Sequence, residues 1–118
     1  MRVLVCGSRD WFDKDKIKQE LESLEKVAML IHGACRGADA LAAQVAKELN
    51  IEIKEFPANW KLYGLSAGPK RNQQMLDEGK PDYVLAFHDD IKSSKGTKDM
   101  ISRVIKSGIN YKIISNKL

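Results

Sequence analysis

The sequence predicts an α/β fold in which one doubly wound sheet of about five parallel strands has helices on both faces. Strand-like and helix-like segments alternate along the whole chain, without a linker, an internal repeat or a low-complexity tract. Such alternation is typical of parallel sheets with right-handed crossovers. The 118 residues are enough for one hydrophobic core and too few for two. We therefore predict a single domain that spans residues 1–118.

The first two strands are short apolar runs, and each is followed by a helix. Residues 2–6 (RVLVC) and 27–32 (VAMLIH) are the predicted strands. Asp13 is placed to cap the first helix, and Phe12 and Ile17 have the spacing of a hydrophobic staple across its start. The second helix has apolar residues at the i, i+3, i+4 and i+7 positions, namely Ala38, Leu41, Ala42, Val45, Ala46 and Leu49.

A third strand, a long loop and a third helix follow. Residues 51–56 (IEIKEF) alternate apolar and polar side chains, which indicates a strand near the edge of the sheet. The loop at 57–68 carries aromatic residues. Pro69 fits the first turn of the third helix, and Gly79 is its predicted C-terminal stop.

Two further strands and a helix complete the predicted sheet. The strands are residues 82–87 and 111–115, and the helix between them spans 97–107 with Gly108 as its stop. The residues that face inward from this helix are Met100, Ile101, Val104 and Ile105.

Composition and charge are those of an ordinary globular protein. Hydrophobic residues make up 43% of the chain and charged residues 31%, and no apolar stretch approaches the ~20 residues of a membrane helix. The chain begins with a strand rather than a signal sequence, so we expect a cytoplasmic protein. A net charge of +4 suggests an anionic partner, although the lysines are interleaved with acids as on solvated helix faces. Cys6 and Cys35 are too few for a disulfide scaffold and are interpreted as reduced thiols.

Glycine and arginine are concentrated in four segments that begin helices or follow strands, CGSRDW, HGACRGAD, SAGPKRN and HDDIKSSKGT. In a doubly wound sheet such segments meet at one edge, where ligands bind. Glycine permits close approach of a ligand, and the start of a helix offers unpaired N–H groups. Arg9, Arg36 and Arg71 add guanidinium groups that suit phosphate. We predict that the four segments converge on a crevice that holds phosphate.

A simpler interpretation of the second segment requires no ligand. Gly33 and Gly37 then serve a tight turn, and Asp39 caps the helix that follows. Many α/β proteins contain such a loop, so the prediction of a crevice depends on the coincidence of all four segments at one edge.

Five strings and one tryptophan carry a family resemblance. The strings are GSRDW, HGACRGADALAAQVA, AGPKRNQQM, KPDYVLAF and SKGTKDMI, and Trp60 lies between the second and the third. Together they resemble the YspA-related branch of the SLOG superfamily. That superfamily includes the Lonely Guy hydrolases, which activate cytokinins, and the DNA-processing protein A family. The resemblance covers about residues 2–115. It implies a single Rossmann-like domain, here 1–118, that binds a nucleotide or a nucleotide-derived ligand.

The resemblance also implies roles for individual residues. GSR looks like the first phosphate or ribose loop, and GPKRN matches the segment that supplies an arginine in the Lonely Guy enzymes, here Arg71. SKGTKDM matches their GGxGTxxE loop, so Gly96 and Thr97 would contact phosphate. The residues predicted to bind the ligand are Gly7, Ser8, Arg9, Trp11, Gly33, Arg36, Gly37, Ala38, Arg71, Asn72, Ser94, Gly96 and Thr97.

The catalytic position of this pattern differs from that of the hydrolases. Their glutamate is replaced by Met100, whose side chain can neither stabilise an oxocarbenium ion nor activate water. The remaining candidate catalytic acids are Asp99, Asp89 and Asp90, although a pair of aspartates in a loop also suits a solvated turn. Asp39 is better suited to be a cap or an arginine partner than a base.

Aromatic and histidine side chains are further candidates for ligand contacts. Trp11 and Trp60 are candidates for stacking on a base, and the alternative for Trp60 is that it covers the core. His32 and His88 end strands, where a histidine is more often structural, and no second ligand lies at metal spacing. We predict neither a metal ion nor a cofactor.

The leading hypothesis is a domain that binds a small nucleotide-derived ligand as a sensor, carrier or sequestering protein. The alternative is an N-glycosidase that acts on nucleoside monophosphates or related ribosylated compounds. Binding of single-stranded nucleic acid is less favoured, because basic and aromatic residues are not interleaved along one face. A membrane partner is not expected, and a homo-oligomer is left open.

Overall fold

The structure, a computed structural model, describes residues 1–117. Within this range it contains one sheet of five parallel strands in the order β3-β2-β1-β4-β5. The strands are β1 (Arg2–Gly7), β2 (Met29–His32), β3 (Glu52–Glu55), β4 (Tyr83–Phe87) and β5 (Asn110–Ile114). The predicted α/β class, the parallel sheet and the edge position of the third strand are confirmed.

Four long helices connect the strands, as the sequence predicts, and one short helix lies in the long loop. The helices are α1 (Lys14–Ser23), α2 (Ala38–Glu48), α3 (Trp60–Tyr63), α4 (Ala67–Gly79) and α5 (Gly96–Ser107). Two single 3₁₀ turns, at Gly64–Ser66 and Ile91–Ser93, also lie in segments predicted as loops. No helix among residues 1–117 is long and apolar enough to cross a membrane.

The sheet separates two hydrophobic cores because successive side chains of a strand point to opposite faces. In β1, Val3 and Val5 are buried in one core and Leu4 and Cys6 in the other. The first core is covered by α1 and α2, and the second by α4 and α5. Helices therefore cover both faces of the sheet, which leaves the loops at its carboxyl edge free to form a site.

Two predicted details are wrong. Phe12 is 85% exposed and forms no staple with Ile17, although Asp13 does cap α1 by accepting a hydrogen bond from the amide of Lys16 (3.0 Å). Ile105 is 56% exposed, because it lies at the side of the face of α5 that Met100, Ile101 and Val104 bury.

The third predicted helix ends at Gly79, as predicted, because α4 spans Ala67–Gly79. The left-handed conformation is adopted by Lys80, the next residue, with φ of 50°. Glycine suits position 79 because an added Cβ would lie 3.2 Å from the side chain of Ile31 in β2, which would have to shift slightly. The glycine thus allows the end of α4 to approach the sheet closely.

The loop after β1 is held between β4 and the start of α2. The amide of Ser8 donates to the carbonyl oxygen of Phe87 (2.8 Å), and the amide of Ala38 donates to the carbonyl oxygen of Ser8 (3.0 Å). This arrangement depends on Gly37, whose φ is 77° and whose added Cβ would lie 2.3 Å from the carbonyl oxygen of Ser8. Gly37 therefore sets the position of one wall of the site.

The substitution Gly37→Ala should lower the free energy of unfolding by about 3 kcal/mol or more, since it adds a clash with backbone atoms to the cost of a positive φ. Gly64→Ala is a matched control, because the backbone conformation of Gly64 (φ 55°, ψ −132°) resembles that of Gly37 (φ 77°, ψ −125°) and no atom lies within 4 Å of an added Cβ. We expect this control to cost about 2 kcal/mol. Urea denaturation measures both, and equal losses would show that the contact with the Ser8 loop contributes nothing.

Candidate functional site

A cavity of about 600 Å³ opens at the carboxyl ends of β1 and β4. These two strands flank the point at which the strand order reverses, since β2 and β3 lie on one side of β1 and β4 and β5 on the other. Crevices at this point are the usual ligand sites of doubly wound sheets. The cavity is lined by Cys6 and Gly7 of β1, by His88 after β4, and by the first turns of α4 and α5.

Three of the four predicted segments supply most of the lining of this cavity. They are the loop after β1, the start of α4 and the segment before α5. The predicted ligand-binding residues that line it are Gly7, Ser8, Arg9, Arg71, Asn72, Ser94, Gly96 and Thr97. Asp99, one of the three candidate catalytic acids, lines it as well.

The start of α5 is the part of the crevice best suited to an anion. Ser94 Oγ accepts a hydrogen bond from the amide of Thr97 (3.0 Å), which orders the turn. Within residues 1–117, no protein acceptor bonds the amides of Gly96 and Lys98. An added Cβ at Gly96 would meet no atom within 4 Å, so this turn faces open space. Free amides at the start of a twelve-residue helix form a ready site for phosphate.

The second predicted segment does not join the crevice as expected. Gly33, Arg36, Gly37 and Ala38 do not line it, and the amide of Ala38 is already bonded by the Ser8 carbonyl. The side chain of Arg36 is 74% exposed and lies 3.8 Å from the carboxylate of Asp10. The loop after β1 covers this end of α2, so the amide of Ala38 is not free for a ligand.

This second segment contributes Cys35 and Asp39 to the crevice instead. The carboxylate of Asp39 accepts hydrogen bonds from the amides of Gly33 (2.9 Å) and Cys35 (3.3 Å) and is buried. Burial raises the pKa of Asp39 to about 6, against the opposing effect of those hydrogen bonds and of the charges of Arg71 and Arg9. Asp39 thus organises the loop that precedes its own helix, and its proton occupancy changes just below neutral pH.

Arg71 lines the crevice, but its guanidinium group also ties three parts of the chain together. It donates to the carbonyl oxygens of Gly33 and Phe56 and to Oδ1 of Asn72, the last at 3.1 Å. An added Cβ at Gly33 would lie 2.6 Å from Nη1 of Arg71, so a side chain there would displace the guanidinium group. Both Nη atoms lie 3.8 Å from Sγ of Cys35. Arg71 is therefore a structural clamp as well as a candidate phosphate ligand.

Asp99 is held in its ionised form by neighbours that the sequence prediction did not identify. Its Oδ2 accepts hydrogen bonds from Nε of Arg103 (2.8 Å) and Nδ2 of Asn72 (3.0 Å). Partial burial favours the neutral carboxyl group, but these bonds outweigh it and hold the pKa of Asp99 below its usual value. The i, i+4 spacing of Asp99 and Arg103 was the available signal. Met100 is fully buried in the core beside them.

Asp89 and Asp90 lie outside the crevice, so the structure does not support them as catalytic acids. Asp89 Oδ1 accepts hydrogen bonds from the amide of Asn116 (2.7 Å) and the hydroxyl of Ser115 (3.0 Å), which hold its pKa below the usual value. Asp90 Oδ2 accepts from the hydroxyl of Ser93 (2.7 Å). Both carboxylates are exposed and bind neighbouring loops, as in a solvated turn.

The two tryptophans have opposite environments. Trp11 is 5% exposed, its ring centroid lies 5.5 Å from that of Phe87, and its indole Nε1 donates to the Asp13 carbonyl oxygen (3.0 Å). It is a core residue that does not line the crevice, contrary to its predicted place among the ligand contacts. Trp60 is 50% exposed and lines the crevice, so it does not serve as cover for the core.

The two histidines also differ in position. His32 is buried, its Nδ1 accepts from the amide of Ala34 (3.0 Å), and burial lowers its pKa, so it is a neutral structural residue. His88 lines the crevice and accepts from the amide of Asp90 through Nδ1 (2.9 Å), which leaves Nε2 as its second polar atom. Among residues 1–117, no three histidine, cysteine, aspartate or glutamate side chains are placed to hold a metal ion.

Comparisons with known proteins find a matching family model and a relative that is similar over most of the chain. A family model described as the YspA, cpYpsA-related SLOG family (YAcAr) matches residues 1–63. The Gene 61 protein of Mycobacterium phage D29 is 33% identical over 117 residues, which covers 92% of this chain and 91% of that protein.

A solved structure confirms the Rossmann-like fold. The DNA processing protein A (DprA) from Streptococcus pneumoniae matches with a TM-score of 0.78 and covers 99% of this chain. The chain spans 51% of that protein, about half its length, and the sequence identity is 15%. At this identity the likeness shows the fold alone.

Asp39 should make the stability of the protein depend on pH. Its folded pKa of about 6 lies above its ordinary value of 3.8, so the folded state binds the proton more tightly. The contribution of Asp39 to the free energy of unfolding should therefore fall as pH rises from about 4 to about 6, by up to about 3 kcal/mol, and Asp39→Asn should lack this contribution. Urea denaturation of both proteins across this range measures the difference.

Asp99→Asn is the control for this prediction. Because the pKa of Asp99 is lowered, its titration lies below this pH range, and its difference from the wild type should be constant from pH 4 to 7. A constant difference between wild type and Asp39→Asn over the same range would contradict the prediction.

Proposed function

The chain belongs to the YspA, cpYpsA-related SLOG family, and from this premise we propose that it binds a small nucleotide-derived ligand in the crevice, as a sensor, carrier or sequestering protein. The observation that carries the proposal is the open turn at the start of α5, with its free amides and Gly96 facing the cavity. It lies at the switch point of the sheet, where ligands of this fold class bind. The cavity volume of about 600 Å³ is in the range of small-molecule sites.

The charges around the crevice favour an anionic ligand once internal pairs are taken into account. Asp99 is paired with Arg103, and Asp10 lies near Arg36. Within residues 1–117, Arg9 and Lys95 line the crevice without a carboxylate within 4.0 Å. Two cations without partners beside free helix amides favour phosphate.

Removal of the phosphate from a ligand should cost more affinity than a change of base. A charge-assisted hydrogen bond is worth about 1.5–3 kcal/mol, so a nucleoside should bind roughly tenfold to a hundredfold more weakly than its monophosphate. Gly96→Val should reduce monophosphate affinity and leave the thermal midpoint nearly unchanged, because its side chain enters open space. Calorimetric titration of a nucleoside, its monophosphate and ADP-ribose at two salt concentrations tests this.

A matched pair of arginine variants completes the experiment. Arg9→Ala should weaken phosphate binding, whereas Arg36→Ala removes the same charge from the same edge of the sheet outside the crevice and should have little effect. Arg71→Ala is unsuitable, because it also breaks the clamp to Gly33 and Phe56. Equal affinity for nucleoside and monophosphate would refute the phosphate site, and a steep salt dependence with oligonucleotides alone would favour nucleic-acid binding.

One observation favours the alternative, an N-glycosidase that acts on nucleoside monophosphates. Asp39 lines the crevice and has a pKa of about 6, and a carboxyl group with a raised pKa is suited to general acid or base catalysis. The usual glutamate position is nevertheless occupied by buried Met100, and Asp99 is bound by Arg103. Binding without hydrolysis therefore remains the better supported function.

The wild-type protein should release little free base from a panel of nucleoside 5′-monophosphates, because no free carboxylate stands at the usual catalytic position. Reverse-phase chromatography of the incubated mixtures measures the base. Rapid release would favour the N-glycosidase over a binding protein, and two variants would then identify the catalytic acid. Loss in Asp39→Asn with retention in Asp99→Asn would identify Asp39 as the catalytic acid, and the opposite result would identify Asp99.

A further inference from the structure

An exposed apolar segment forms the rim of the crevice. Between buried Phe56 and buried Ala67, residues 57–66, which we call the rim segment, carry four exposed apolar side chains. Their exposed fractions are 50% for Trp60, 66% for Leu62, 46% for Tyr63 and 95% for Leu65. Contiguous exposed apolar surface of this kind marks an interaction site more often than an isolated exposed leucine does.

Local hydrogen bonds hold the rim segment in a defined shape. Asn59 caps the short helix α3 by accepting from the amide of Leu62 (3.1 Å), and the Ser66 hydroxyl donates to the Tyr63 carbonyl oxygen (2.8 Å). Nζ of Lys70 in α4 lies 4.8 Å from the ring centroid of Tyr63. The position of Trp60 at the start of α3 is therefore set by the fold.

Trp60 and Leu65 line the crevice, whereas Leu62 and Tyr63 do not. The indole of Trp60 passes over the first turn of α4, where an added Cβ at Gly68 would lie 3.4 Å from Cη2. The ring therefore lies close to Gly68, beside the cavity. Pro69 adds a further apolar residue to this wall, whereas Ser8, Ser94 and the free amides of α5 supply polar groups elsewhere in the lining.

We propose that Trp60, with Leu65 beside it, is the platform on which the base of a bound nucleoside phosphate stacks. This inference rests on the proposed function, and it adds that the ligand retains a flat aromatic base. Inorganic phosphate would fill a small part of a cavity of about 600 Å³. A base laid on the indole would cover apolar surface that is otherwise exposed to water.

The chemistry of this wall also determines the selectivity of the site. Leu65, Gly68 and Pro69 have no side-chain donors or acceptors with which to read the edge of a base. The polar side chains that follow in α4, Arg71 and Asn72, are already bonded within the protein. Stacking on an indole tolerates every base, because every base has a π-face. The ligand class is therefore nucleoside phosphates with little discrimination among bases, and the larger purines should bind somewhat more tightly than pyrimidines.

Calorimetric titration of the four common ribonucleoside 5′-monophosphates and of ribose 5-phosphate tests this inference. In the wild type, the tightest monophosphate should bind about tenfold more tightly than ribose 5-phosphate. Trp60→Ala should abolish that difference without changing the affinity for ribose 5-phosphate, and Trp60→Phe should restore most of it. Leu62→Ala is the matched control, since it removes an exposed apolar side chain of the same helix outside the crevice.

The possible results distinguish the stacking platform from the phosphate site. If ribose 5-phosphate and every monophosphate bind equally, and Trp60→Ala changes nothing, the stacking platform is refuted while the phosphate site stands. An equal loss for ribose 5-phosphate and the monophosphates in Trp60→Ala also refutes it, because the tryptophan would then only support the shape of the crevice. If none of the five probes binds, the platform for nucleoside monophosphates is refuted, and failure of ADP-ribose to bind as well would refute the proposed function.

Discussion

The guanidinium group of Arg71 is the interaction on which the arrangement of the site depends. From α4 it reaches the carbonyl oxygens of Gly33 and Phe56, which follow two different strands. A buried carbonyl oxygen left without a donor is costly, so this one side chain sets how closely α4 approaches the loops after β2 and β3. A side chain at Gly33 would displace this guanidinium group.

The two sides of the switch point use their helix starts differently. At α2, the carbonyl oxygen of Ser8 bonds the amide of Ala38, and neither Gly37 nor Ala38 lines the crevice. At α5, Ser94 orders the turn while the amides of Gly96 and Lys98 stay free within residues 1–117. A helix start can hold an anion only when its amides are free, so the α5 side is the side suited to phosphate.

The lining of the crevice combines polar groups with apolar surface, and this combination supports our proposals. The polar groups are amides, hydroxyl groups and the cation of Arg9, and the apolar surface is that of Trp60 and Leu65. Asp39 lies in the same cavity with a pKa of about 6. A ligand with a phosphate and a flat base would use both kinds of group, whereas a simpler anion or an apolar compound would use one.

The sequence by itself determined the order of the elements, the edge position of Glu52–Glu55 and the stop at Gly108, because periodicity and turn chemistry act between neighbours in the chain. Parallel topology then implied that the loops would meet at one edge. Only the tertiary structure decided that Trp11 is core and Trp60 is rim, and that Asp39 binds the loop before it rather than a ligand. Residues of the same type differ in burial and in hydrogen bonding because both depend on which segments, distant in the sequence, pack together. The local sequence does not encode that packing.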